Sequence, residues 1–82
     1  MINKDSKKLE TNVYRSLIGD NIKLFREEKG YSQDELANLM NISRTTISKI
    51  ESGKFAITVD YIEKFSHFLD FDIALNKKQK KQ

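Results

Sequence analysis

Residues 31–53 read YSQDELANLMNISRTTISKIESG, and the reading of this stretch decides the fold. Ser32, with Glu35 three residues on, has the spacing of a capping box. The hydroxyl accepts from the third helical amide, and the carboxylate reaches back to the cap's own N–H. Tyr31 and Leu36 stand where a hydrophobic staple would close over that cap. The same grammar returns at Ser43, with Ile42 before it and Ile47 after it, although Thr46 replaces the acidic partner. Two helix starts this close leave each helix only a few turns, with Met40-Asn41-Ile42 between them. Helices that short are marginal alone, so the pair must pack on the rest of the chain.

The second of these helices has two unlike faces. At about 100° per residue from Arg44, Ser48 falls near 40°, Ser52 near 80°, Thr45 near 100° and Lys49 near 140°. Ile47 and Ile50 fall on the opposite side, at about 300° and 240°. The outer arc of the helix therefore carries donors and two cations, and no carboxylate. Its side chains are short apart from Arg44 and Lys49, so the backbone can approach another surface closely. Such a face fits a DNA major groove, where arginine can pair with guanine O6 and N7 and the threonine methyl can meet that of thymine. It also fits an ordinary solvated helix face.

Outward from this pair, Val13, Leu17, Ile18, Ile22 and Phe25 recur at three- and four-residue spacing and predict a first helix from about Asn12 to Lys29. Gly19 reads as a mild helix defect, tolerated at about 1 kcal/mol. Lys29-Gly30 is a stop signal, as is Gly53. Leu36, Ala37, Leu39 and Met40 are the expected core positions of the second helix. Thr58 caps a fourth helix that should bury Val59, Ile62, Phe65 and Leu69. In residues 71–76, FDIALN, the apolar side chains alternate. Alternation is strand-like, and a lone strand needs a partner for its edge, which a second copy of the chain could supply across a two-fold axis. A short fifth helix packing Phe71 and Leu75 is the alternative. Residues 1–11 read as a flexible arm, residues 12–70 as the folded domain, and residues 77–82 as a basic tail.

At 82 residues the chain makes one small domain with a thin core. Cysteine is absent, which excludes disulfides and thiolate metal sites and suits a cytoplasmic protein. No run approaches the roughly 20 apolar residues of a membrane helix, and MINKDSKKLE lacks the apolar centre of a secretory signal. The net charge of +3 leans towards a polyanion, but four lysines in the last six residues account for it. His67 is the one histidine and has no ligand partners spaced for a metal. Asp34-Glu35 and Glu27-Glu28 are adjacent carboxylates pointing different ways round short helices, and neither makes a catalytic pair. No enzyme activity, cofactor, metal or small-molecule substrate is expected. Phe55, Tyr61, Phe68 and Phe71 exceed what so small a core needs, which predicts an interface after Gly53.

Residues Ile18 to about Leu69 resemble the Xre/Cro-type helix-turn-helix family of phage repressors and small bacterial regulators. The resemblance rests on Ile18-Gly19 and Arg26-Glu27, then Tyr31-Ser32-Gln33 and Glu35-Leu36-Ala37, then Ile42-Ser43-Arg44, Ile47-Ser48-Lys49 and Glu51-Ser52-Gly53-Lys54, in that order and spacing. It implies an all-α, lambda-repressor-like domain of four to five helices. By matching positions it implies base-edge contacts from Arg44, Thr45, Ser48 and Lys49. Gln33, Ser43 and Lys54 correspond to phosphate contacts, and Ser52 to another, although that position is often asparagine. Arg26 and Glu51 correspond to a partly buried ion pair. Ile50 stands where the family often has tryptophan, and Ile57 where it often has proline. The FDIALN segment is similar to the terminal strand of HipB-like antitoxins, which implies a homodimer through Phe68, Phe71, Ile73 and Leu75.

The function so implied is a sequence-specific transcriptional regulator in the bacterial cytoplasm, nucleoid-associated when bound to double-stranded DNA. It would bind a palindromic operator as a homodimer, as an autoregulating repressor and the antitoxin of a toxin protein. A restriction–modification controller, a phage-type repressor, or a module that neutralises a partner enzyme without specific DNA binding are the alternatives.

Overall fold

The structure, a computed structural model, describes the backbone of residues 4–78 and the side chains of residues 13–78. Four helices follow in order: α1 Lys4–Glu28, α2 Gln33–Met40, α3 Arg44–Glu51 and α4 Val59–Leu69. No strand occurs among the described residues. The domain is all-α, as expected. α1 packs on α3 and α4, and α2 packs on the same two helices. The space between them is filled by Ile22, Leu36, Ala37, Met40, Ile47, Ile50, Phe65 and Leu69.

The helix starts follow the capping grammar of the sequence. The Ser32 hydroxyl accepts from the Glu35 amide at 3.0 Å, and the Ser32 amide donates to Glu35 Oε1 at 2.7 Å. Ser43 and Thr58 likewise accept from the amides of Thr46 and Tyr61. The helix ends are more uniform than the sequence suggests. All four pass through one left-handed residue: Gly30, Asn41, Gly53 and Asp70. In each case the following amide returns to the carbonyl five residues back: Tyr31 to Arg26, Ile42 to Ala37, Lys54 to Lys49 and Phe71 to Ser66. These are Schellman closures. Only two use glycine, because Asn and Asp tolerate the left-handed region at modest cost.

Several expectations are corrected. α1 begins at Lys4, ahead of the Asn12 start expected, so the backbone of residues 4–11 continues the helix where an irregular arm was foreseen. That stretch lacks glycine and proline and has three lysines with one Leu and one Glu, all compatible with helix. Val13 and Leu17 share the apolar period of α1 but are exposed, as are Leu39 and Val59, so the apolar arc of each helix is wider than the face its neighbours cover. The aromatics after Gly53 are not surplus. Phe55, Tyr61, Phe68 and Phe71 all pack against the core, with Tyr61 between Phe55 and Phe65. Residues 71–78 form neither strand nor helix. Phe71 folds back onto Phe25, with ring centroids 5.1 Å apart, and the chain then runs out with Ile73 and Leu75 exposed. Of the basic tail, Lys77 and Lys78 are exposed and irregular, and residues 79–82 lie outside the described residues.

Candidate nucleic-acid interface

Gly19 sets how closely α3 approaches α1. A Cβ at this position would fall inside contact distance of the Ile50 carbonyl oxygen and 2.9 Å from that of Glu51. The residue read as a helix defect is therefore where the backbones of α1 and α3 meet. Beside it, Arg26 and Glu51 form a buried two-pronged ion pair. Arg26 Nε donates to Glu51 Oε2 at 2.6 Å, and Nη2 donates to Oε1 at 3.0 Å. Arg26 Nη1 donates to the Tyr31 carbonyl at 2.7 Å, which ties the start of α2 to the same group. Both residues are only 7% exposed, and no buried side-chain polar atom among the described residues lacks a partner. The hydrogen bond from Arg26 to Glu51 raises the guanidinium pKa further, against the effect of burial. The pair thus locks α1, the α2 start and the α3 end into one unit.

Gln33 joins this unit from the surface side. Its Nε2 donates to Glu51 Oε1 at 3.0 Å. The amide still has a second N–H and a carbonyl to offer, and the residue is half-buried at the start of α2. Arg44, Thr45, Ser48 and Lys49 are all exposed, on the side of α3 away from the buried Ile47 and Ile50. The four expected base-contacting residues thus share one solvent-facing surface, held by a rigid frame.

The remaining candidates differ in what they have left to give. Lys54 is exposed and, like Lys49, forms no ion pair among the described residues. The Ser43 hydroxyl caps α3 and lies 2.8 Å from Thr46 Oγ1. The Ser52 hydroxyl donates to the Lys49 carbonyl at 3.1 Å, so its one proton is committed within α3. Arg44 has a neighbour that angular reading of α3 alone could not reveal. Asp34, on the first turn of α2, places Oδ1 3.6 Å from Arg44 Nε. The face is free of carboxylates on its own helix but not in space.

On α4, Phe68 is half-buried and meets the His67 ring edge-on at 5.2 Å. Phe71 is committed to Phe25, while Ile73 and Leu75 are open. An apolar groove of about 420 Å³ lies between α1 and this segment, lined among others by Ile18, Phe25, Ile62 and Phe71. Lys29 and Asp70 pair across the surface and fix where the segment leaves α4. Their hydrogen bond lowers the carboxyl pKa of Asp70 and raises the ammonium pKa of Lys29. Among the described residues no group of His, Asp and Glu could hold a metal, and no helix is long and apolar enough to cross a membrane.

Two short helices joined at a left-handed turn, the second with its polar face outward and its end clamped by a buried ion pair, define a helix-turn-helix domain. The chain belongs to the helix-turn-helix family, whose profile matches residues 22–76. It is 37% identical over 65 residues to the HTH-type transcriptional regulator SinR of Bacillus licheniformis, covering 76% of this chain and 59% of that protein. The SinR of Bacillus subtilis is 36% identical over 58 residues, covering 70% and 52% of the two chains. A Neisseria meningitidis protein described as a Neisseria hypothetical transcription factor is 38% identical over 52 residues, 63% of this chain and 49% of its own. The chain thus spans about half the length of these three relatives.

Proposed function

We propose that the protein is a sequence-specific DNA-binding transcriptional regulator that inserts α3 into the major groove. One observation carries this reading: Arg44, Thr45, Ser48 and Lys49 share one exposed face, on a helix whose orientation is fixed by the buried Arg26–Glu51 pair and by the close approach at Gly19. A groove-reading helix must present base-reading side chains without sagging, because a positional error of an ångström or so loses bidentate geometry. In this reading Arg44, Thr45, Ser48 and Lys49 meet base edges, while Gln33, Ser43 and Lys54 grip phosphates and set the register. Ser52 joins that grip by turning its hydroxyl from the Lys49 carbonyl to a phosphate oxygen, which can only accept.

The protein acts as a homodimer on a palindromic operator, with half-sites about 34–36 Å apart on one face of the duplex. Exposure of Ile73 and Leu75, which themselves line the apolar groove against α1, supports a second copy there. Repression by occluding a promoter, including its own, needs nothing beyond DNA binding and is the mode of action in this reading. Pairing with a toxin protein as its antitoxin would use the same C-terminal segment. Selection of binding sites from random DNA at a defined salt concentration tests the reading. A symmetric site with that spacing supports it. Recovery of no sequence preference contradicts it and favours a module that acts on a protein partner alone.

A further inference from the structure

On the DNA-binding reading, we propose that Asp34 is a specificity-determining residue that positions Arg44 for base recognition. Asp34 stands on the first turn of α2 and Arg44 opens α3, and the two are brought together across the helix-turn-helix with Arg44 Nε 3.6 Å from Asp34 Oδ1. Both side chains are well exposed, at 66% and 74%, so the pair adds little to stability. Its place on the surface that meets DNA is what gives it a consequence. The first turn of α3 has no acidic residue, so a cation at its opening sits against the positive end of the helix dipole. Asp34 supplies the missing anion from the neighbouring helix.

The contact also selects an orientation. A guanidinium presents five donors in a flat fork. Nε is the guanidinium atom that pairs with Asp34, which leaves the two terminal nitrogens for a bidentate contact to guanine O6 and N7. Left alone, the flexible arginine would also reach for nearby phosphates, a contact that carries no sequence information. The Asp34 carboxylate opposes that drift twice: it holds the guanidinium, and it repels the phosphate backbone. Asp34 therefore costs some general affinity and returns discrimination.

The test uses the full chain on its selected operator and on unrelated duplex DNA. Asp34→Asn should tighten binding to unrelated DNA, steepen its salt slope by about one unit, and lower the specific-to-nonspecific ratio by about tenfold, within the worth of one bidentate contact. Asp34→Glu should retain most of the ratio. In an Arg44→Ala background, Asp34→Asn should leave the ratio unchanged, because the positioned group is gone. An unchanged ratio for Asp34→Asn in the Arg44 protein overturns the proposal. So does an equal loss in the Arg44→Ala background, which would mark Asp34 as a direct acceptor for a base amine. A wild-type chain that selects no operator would fail earlier, at the DNA-binding reading itself. Unfolding midpoints of the variants separate these effects from loss of fold.

Discussion

Replacing Gly19 by alanine sets helix propensity against packing, with opposite signs. In an exposed helix interior the change would stabilise by about 1 kcal/mol. At this position the new Cβ would lie inside contact distance of the Ile50 oxygen, 2.9 Å from the Glu51 oxygen and 3.1 Å from the Glu51 carbonyl carbon. Ordinary C···O contacts begin at about 3.3 Å, so α1 and α3 must separate by several tenths of an ångström to about 1 Å. All three neighbours are backbone atoms of α3 and cannot rotate aside. Separation would loosen Ile22 against Ile47 and Ile50 and stretch the two short bonds between Arg26 and Glu51. Overpacking of this kind costs about 1–3 kcal/mol. With strain on the buried pair added and the propensity gain subtracted, a net loss of about 2 kcal/mol follows. For a domain of this size that lowers the melting temperature by about 10 °C. Thermal and urea unfolding followed by helix circular dichroism measures it, with Asp20→Ala on the neighbouring exposed position as the propensity control. A Gly19→Ala protein as stable as the parent would refute the close-approach argument.

Other perturbations address separate parts of the account. Glu51→Gln leaves Arg26 buried without its charge partner and should cost about 3–5 kcal/mol in urea unfolding; a loss below about 1 kcal/mol would mean that Gln33 and water replace the carboxylate. Asp70→Asn tests the surface pair with Lys29, since asparagine also accepts the left-handed backbone there. Because the folded carboxyl pKa is lowered, the parent should be the more stable above the ordinary carboxylate range, and the difference should vanish as pH falls through the folded-state value. The raised ammonium pKa of Lys29 works in the other direction, its contribution fading as pH rises past the ordinary lysine range. Ile73→Ser with Leu75→Ser should give a monomer in sedimentation without lowering the unfolding midpoint of the monomer, whereas an unchanged dimer would sink the C-terminal interface.

The helix-turn-helix itself was legible because its signals are local. Ser32, Glu35, Ser43 and Thr58 are caps whose partners lie three residues away, and the alternation of Ile47 and Ile50 with polar residues settles which side of α3 is inside. What escaped needs contacts between distant segments. Gly19 is indistinguishable in sequence from a tolerated glycine until α3 is laid against it. Asp34 was set aside as one of two adjacent carboxylates, because its relation to Arg44 exists only once α2 and α3 cross. The aromatics after Gly53 looked surplus when core size was judged from apolar counts, yet Tyr61 and Phe71 are used to thicken a small core with ring contacts. Val13, Leu17 and Val59 erred the other way, since periodicity marks an apolar arc without saying how much of it a neighbour covers. The left-handed turns at Asn41 and Asp70 had no glycine to announce them.

The claim at the centre of the account is that the outward face of α3 reads base sequence, and Arg44 is its most exposed commitment. Measuring the affinity of the parent and Arg44→Ala proteins for the selected operator and for a scrambled duplex, over a range of salt concentrations, tests it most directly. The account predicts a loss of about 1–3 kcal/mol on the operator, a much smaller change on the scrambled duplex, and an affinity that falls steeply with salt in both proteins. Equal operator binding by the two proteins, or binding indifferent to salt, would contradict it.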